Sequence, residues 1–287
     1  MADVRIQDFN ENWKPDTNND FLMTFNDGSE SKTRLRDAFY SLVPDGAPTH
    51  ANIFRGQSLG ALNATHIANI QNGTFHDMFI GDYFTVNDSN YVIADINYKK
   101  GHGDTTHLGN HLVLMPQNWS KTPTQTLAPD GKTTNYMNDT DTTAGGFAGS
   151  KLYKTYLPQI QQKLEADFGS HLLNFREIIS THVDDSGAPD RAEWRDTKVM
   201  IPCETMVYGT MVNGNNKKGL WYNVGDDASQ LALMRLNSEE RNFHRQIIWL
   251  RDIHSASEFA DADLNGSASW SVSSSPWAGV RAFFLIG

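Results

Sequence analysis

Apolar residues along this chain form several short runs and one long periodic stripe. From Ser150 onward Leu152, Tyr156, Ile160, Leu164 and Phe168 recur at every fourth position, Tyr153 and Leu157 widen the stripe, and Gly169 follows it. This spacing predicts an amphipathic helix whose apolar face is core. Pro158 lies inside the pattern and removes one backbone hydrogen bond, so the helix should kink there or begin near Tyr156. A shorter helix is expected after Asn63, which can serve as N-cap, with Leu62 stapled onto Ile67 and Gly73 as a left-handed stop.

Strand-like runs lie on either side of the long helix. Met78–Val86 and Tyr91–Tyr98, separated by the turn residues Asn87 to Asn90, predict a hairpin, and His111–Met115 a further strand. Pro116 to Thr143 is polar and is expected to form an extended surface loop. The C-terminal third predicts strands at Lys198–Ile201, Glu204–Tyr208, Gln246–Leu250, Glu258–Leu264, Ser267–Val272 and Val280–Ile286. The last is rich in large apolar residues and should be a buried inner strand. Helices concentrated early and strands late predict an α+β class.

Residues 1–52 have a different texture, rich in Asn and Asp. Asp20–Asn26 reads as a strand followed by the Asp27-Gly28 turn, and Leu35, Phe39 and Leu42 then sit at helical spacing. Such a segment buries little by itself and is expected to be a small anchoring arm completed by neighbouring molecules. Pro44-Asp45-Gly46-Ala47-Pro48 reads as its linker to a main domain over 53–287.

Composition narrows the function classes. Hydrophobic residues make up 39% of the 287, enough to build a core. The net charge is −10, and its basic residues gather in no stripe, so nucleic acid is not an expected partner. No apolar stretch approaches the roughly 18 residues of a membrane span, and the first residues carry no export-signal pattern, so membrane insertion is not expected. The single cysteine, Cys203, cannot form an intramolecular disulfide, which fits folding in a reducing cytoplasm, and VMIPCETMVYG suggests a small buried hydrophobe.

Candidate chemistry is sparse. His102, Asp104, His107 and His111 form the most metal-like cluster, but their spacing is not a zinc signature, and a solvated loop explains them. Asp261, Asp263, Asn265 and Gly266 copy the first half of a calcium loop, but Val272 occupies the place of the required bidentate glutamate; a hairpin turn accounts for the same residues. No metal or cofactor is therefore assigned. There is no nucleophile elbow, phosphate-cradling loop or paired-carboxylate signature. Trp270 and Trp277 flank the hydroxyl-rich SVSSSP and offer rings on which a sugar could stack, although core or interface positions are the plainer account of one or both.

The C-terminal IIWLRDIHSASEFADADLNGSASWSVSSSPWAGVRAFFLIG resembles the ending of a domain family common in phages and prophages of low-GC Gram-positive bacteria. Family members close with WLR, a strand, an Asn-Gly or Asp-Gly turn, another strand and GVRP. The matching residues here are Trp249-Leu250-Arg251, Asn265-Gly266 and Gly279-Val280-Arg281, with Ala282 in place of proline. FRGQSLG, NGTFHDMFIGDYF, GGFAGSKLY and FGSHLL also look like phage virion proteins of this group, which extends the likeness over Ile53–Gly287. The resemblance implies a C-type-lectin-like twisted antiparallel sheet with flanking helices, closed by the chain's own last strand, and related to formylglycine-generating enzymes. That enzyme chemistry looks dependent on paired thiols, which this chain lacks. The implied role is a non-enzymatic virion protein: a head fibre, capsid decoration or tail protein, made and assembled in the bacterial cytoplasm. Its expected partners are other virion proteins and copies of itself, as a homo-oligomer; host adhesion through a surface carbohydrate is the alternative. Trp249, Arg251, Gly279 and Arg281 are expected to be structural, and Trp270, Trp277, Asp261, Asp263 and Asn265 are the candidate binding residues.

Overall fold

The apolar run Phe21–Asn26 forms β1 in a computed structural model that describes residues 21–26, 29–102, 108–117, 136–215 and 229–287. β1 pairs antiparallel with β2 (Ser29–Arg34), Phe21 opposite Arg34 and Asn26 opposite Ser29; the expected Asp27-Gly28 turn lies outside the described residues. Helix α1 (Leu35–Ser41) follows and leaves Phe39 59% and Leu42 81% exposed. The chain divides into two units, Met1–Pro44 and Asp45–Gly287.

The second unit therefore begins ahead of Ile53, inside the segment expected to be a linker. Pro48 stands in the first turn of α2 (Ala47–His50), and the Gly46 amide donates to the Thr74 carbonyl. His50 is buried, bonded through Nδ1 to the Met78 carbonyl at 2.8 Å and stacked on Phe79 at 4.3 Å. These contacts give residues 45–52 a place in the main core.

Beyond β3 (Ser58–Ala61), α3 (Ala64–Asn72) has the caps its sequence predicts. The Asn63 side chain accepts from the His66 amide at 3.0 Å, the His66 ring accepts from the Asn63 amide in return, and Gly73 ends the helix at φ +75°. β4 (Tyr83–Val86) and β5 (Ser89–Ile96) form the expected hairpin, with Asn87 and Asp88 at positive φ in the turn. The anticipated strand from Met78 is cut short. The buried Asp82 carboxylate accepts from the Phe79 and Gln57 amides and from Arg55, which folds Met78–Asp82 around a charge instead of extending it.

β6 (Leu112–Pro116) is buried throughout. Next come α4 (Gly146–Gly149), a π-helical turn over Leu152–Tyr156, and α5 (Leu157–Phe168), so the regular helix starts at Pro158's own first turn, as the proline requires. Leu152, Leu157, Ile160, Leu164 and Phe168 are all buried. Gly146 has φ +62°, and a β-carbon there would lie 2.4 Å from the Ser180 carbonyl oxygen, so only glycine fits where α4 crosses the next strand. That strand, β7 (Phe175–Val183), pairs with β8 (Pro189–Thr197) in a hairpin that the apolar pattern does not predict.

β9 (Val199–Met200) precedes a further departure from expectation: Glu204–Tyr208 is helix α6, not a strand. The Asp252 carboxylate accepts the Glu204 amide at 2.6 Å, satisfying a free N–H of the first turn, and Gly209 at φ +83° stops the helix. Another short helix, α7 (Ala232–Leu236), leads to β10 (Ile247–Ile253), β11 (Glu258–Ala262), β12 (Ala268–Val272), β13 (Ala278–Gly279) and β14 (Phe283–Ile286).

Two main sheets result, one ordered β3-β4-β5-β6-β14-β9 and the other β12-β11-β10-β13. The last strand, β14, lies inside the first, antiparallel to β6 and β9, and all its residues are buried. Burying side chains of this size contributes about 1.5–3 kcal/mol each, so the chain's end is part of the core. The fold is α+β. No helix among the described residues is long and apolar enough to cross a membrane.

Candidate functional site

The residues of the closing motif are turned inward. Trp249 on β10 is fully buried, and Gly279 pairs with Ile248 where β13 runs parallel to β10. Arg251 on β10 reaches Glu177 on β7 at 2.8 Å, and Lys99 reaches the same carboxylate at 2.6 Å, all three side chains having no solvent exposure. Burial alone would raise the Glu177 carboxyl, but the Arg251 and Lys99 charges outweigh it and hold it below its ordinary value. Arg281, just ahead of β14, donates to the Pro116 carbonyl at 3.0 and 3.2 Å, to the Glu240 carbonyl at 2.6 Å and to the Glu240 carboxylate at 2.7 Å, with Phe243 under its guanidinium. Both arginines thus clamp distant segments to the closing strands.

A second buried group lies beside the first. The Glu204 carboxylate accepts from the amides of Val212, Asn213 and Gly214 at 2.7–2.9 Å and closes that loop on itself. Burial, then the Glu204 charge, pushes the adjoining Asp252 carboxyl up to about 7. Cys203 is buried as its sequence context suggests, and burial raises its thiol to about 11, far from the thiolate a nucleophile needs. Glu177, Glu204, Lys99, Arg251 and Cys203 are all sealed from solvent, so these ionisable groups do not line an open site.

The two metal-like clusters resolve differently. His111 is buried, accepts the Lys99 amide on Nε2 at 3.0 Å and bonds the Gly109 carbonyl through Nδ1 at 2.9 Å. Burial lowers its ring to about 4, and with both nitrogens engaged it offers no lone pair to a metal. His102 lies 3.2 Å from the Lys99 ammonium; Asp104 and His107 fall outside the described residues. In the other cluster, Asp263 accepts from the amides of Asn265 and Ser267, and Gly266 adopts φ +78°, the hairpin turn that explains the sequence without calcium. Asp261 sits apart on β11, buried, with neither carboxylate oxygen in a well-formed hydrogen bond; burial pushes it up to about 6 against the pull of the Ser271 hydroxyl. Among the described residues no three His, Cys, Asp or Glu side chains converge as metal ligands.

Among the described residues, two tryptophans are left at the surface. Trp270 on β12 is 46% exposed, with one face stacked on the His254 ring at 4.4 Å and 17°. His254 bonds the Asn213 carbonyl through Nδ1 at 2.7 Å, so that nitrogen carries the proton and the ring is fixed beneath the indole. Trp277 is 72% exposed, and Val272 and Leu264 are also exposed. Of the expected binding residues, Trp270 and Trp277 are therefore at the surface, Asp263 and Asn265 form a turn, and Asp261 is enclosed. His254 was not anticipated, although its place one residue after the WLRDI strand could have marked it.

Of the open clefts, one of about 540 Å³ lies between α3, the β4–β5 turn and the end of α5, with Leu62, Ile67, Val86 and Phe168 in its wall. Its acidic residue, Asp167, is already engaged by Asn87, Tyr91 and Lys163. No protein-family model, curated protein or solved structure matches this chain.

Proposed function

We propose that this chain is a non-enzymatic structural protein of a bacteriophage particle, a head fibre, capsid decoration or tail-associated component built on a C-type-lectin-like domain. The observation that carries the proposal is the fate of the closing motif. Its arginines are spent on buried clamps to Glu177 and Glu240, and its last strand is set inside a sheet between β6 and β9. A sheet into which the strand after the GVR run pairs back, between β6 and β9, is the arrangement that the family resemblance implies. The buried ionisable groups support the non-enzymatic part of the reading, because chemistry needs them within reach of a substrate. Electron microscopy of purified particles with a chain-specific antibody tests the proposal: label at head, collar or tail supports it, and particles free of the protein refute it.

A second reading is favoured by the exposure of Trp270 and Trp277. An indole face beside hydroxyl-bearing side chains suits the apolar face of a sugar ring, and the domain would then act in adhesion to host-surface saccharide. Trp277 carries more of this reading, since His254 already covers one face of Trp270. Titration of the protein with host cell-wall polysaccharide, with Trp277→Ala as the control that abolishes binding, tests it.

A further inference from the structure

Among the described residues no strand pairs with the outer edge of β12. β12 is the terminal strand of its sheet, with β11 as its partner in that sheet. Its pairing fixes which backbone groups face outward. The Asp263 amide donates to the Ser267 carbonyl and the Ser273 amide to the Ser257 carbonyl, so in this antiparallel register the odd-numbered residues of β12 point their N–H and C=O groups at β11. The main-chain groups of Ala268, Trp270 and Val272 therefore point away from the sheet. Among the described residues only the Val272 carbonyl is met there, by the Ser275 amide.

Edge strands of natural proteins are commonly blunted by charge, proline or a bulge. The segment ASWSV has no charged residue and no proline, and its register with β11 is regular throughout. The acidic residues near its two ends are occupied elsewhere: the Asp263 carboxylate bonds its own turn, and the Glu258 carboxylate accepts from the Ser255 hydroxyl at 2.7 Å. Trp270 and Val272 stand exposed on one face of this edge. An extended strand is the structure whose hydrogen bonds match such an edge.

We infer that β12 is a self-association edge, where two copies of this chain pair antiparallel about Trp270 and join their four-stranded sheets. The strand is complementary to itself. A twofold axis at Trp270 lets the two Trp270 residues exchange both outward hydrogen bonds, and it sets the small Ala268 of each copy against the branched Val272 of the other. The two Trp270 residues then stand directly opposite each other across the axis, each keeping its own stack on His254. A chain of net charge −10 repels its copies over much of its surface, and an uncharged strand is where that repulsion is least. This goes beyond the proposed function and is independent of where in a particle the protein lies.

Sedimentation velocity of the full chain over a range of concentrations tests the inference. The native protein should sediment with twice the mass of the 32.1 kDa chain. Trp270→Lys and, separately, Val272→Lys place a like charge in each copy at the axis or beside it, and each should weaken the dimer by about tenfold or more with an unchanged thermal melt. Should Trp270→Lys disturb folding through the lost His254 stack, Val272→Lys decides. A native chain that stays monomeric at about 100 μM overturns the inference, and so does a dimer indifferent to both substitutions. Co-sedimentation of a monomeric chain with another particle protein through this edge would also overturn the choice of a second copy as occupant. Particle location is read by microscopy and self-pairing by mass in solution, so either can fail alone.

Discussion

The guanidinium of Arg251 and the carboxylate of Glu177 meet at 2.8 Å with neither side chain exposed to solvent. Lys99 completes the group from the opposite oxygen. Removing the shared carboxylate leaves two cations buried without their counter-charge, which costs about 3–5 kcal/mol in comparable sites. Glu177→Gln should therefore destabilise the second unit by about that amount in urea unfolding. A loss under about 1 kcal/mol would mean that the two cations are compensated elsewhere.

The last strand should be indispensable. Phe284 packs edge-on to Tyr91 at 5.3 Å and against Phe168 at 5.0 Å, while β14 supplies ladder bonds to both neighbours. Phe284→Ala should cost about 3–5 kcal/mol. Deleting Val280–Gly287, which also removes Arg281, should abolish the cooperative melt; a truncated protein that melts like the full chain would refute the closure described here.

Local signals were legible in the sequence and distant ones were not. The stripe from Leu152 to Phe168 and the caps of α3 at Asn63 and Gly73 are decided within a few residues, and periodicity and turn chemistry show them directly. Glu204–Tyr208 has strand-like composition, yet its helix depends on Asp252, 48 residues away. The β7–β8 hairpin is diluted by charged residues such as Arg176, Glu193 and Arg195, and the burial of Glu177 is set by partners at positions 99 and 251. Of the candidate site, the Asn265-Gly266 turn was readable and the contrast between enclosed Trp249 and exposed Trp277 was not, because it depends on which face of the sheet is covered.

Stability should fall as pH rises toward neutrality. Burial and Glu204 raise the Asp252 carboxyl from 3.8 to about 7, so between those values the folded chain holds a proton that the unfolded chain has lost. The stabilisation linked to that proton is complete at the acid end and disappears as pH passes about 7, with a limiting slope of about 1.4 kcal/mol per pH unit. Asp95 and Asp261, each raised to about 6 mainly by burial, act in the same direction. Glu177 and Asp167, held low, act oppositely at more acid pH. The melting temperature should drop between about pH 4 and pH 7 and level off above that, and Asp252→Asn should flatten that drop while raising stability at the alkaline end. An unaltered slope in Asp252→Asn would remove this residue as its source.

Folding should need no metal. Asp263 holds its turn through Oδ1, Asp261 is enclosed on β11 and His111 is bonded through both ring nitrogens, so among the described residues no ligand set converges at either suspected cluster. A chelator should leave the melting temperature in place. A fall of more than about 5 °C, the scale of losing roughly 1 kcal/mol or more, would return a cation site to consideration.

The N-terminal unit should behave as an arm that depends on its neighbours. Its described part is a two-stranded sheet followed by a helix of seven residues, with Phe39 and Leu42 facing solvent. A lone two-stranded hairpin is marginally stable in water, and a short helix with an uncovered apolar face adds little cooperative stability. The unit from Asp45 onward has the buried core and retains α2 through His50. Limited proteolysis of the isolated chain should therefore cut before Asp45 and spare Asp45–Gly287, with the melt of the remaining domain unchanged. If the arm anchors the protein in a particle, the trimmed domain should fold but fail to be incorporated when supplied to an infection lacking the native chain. Resistance of the arm in the isolated protein, or normal incorporation of the trimmed form, would show that assembly relies on the main domain instead.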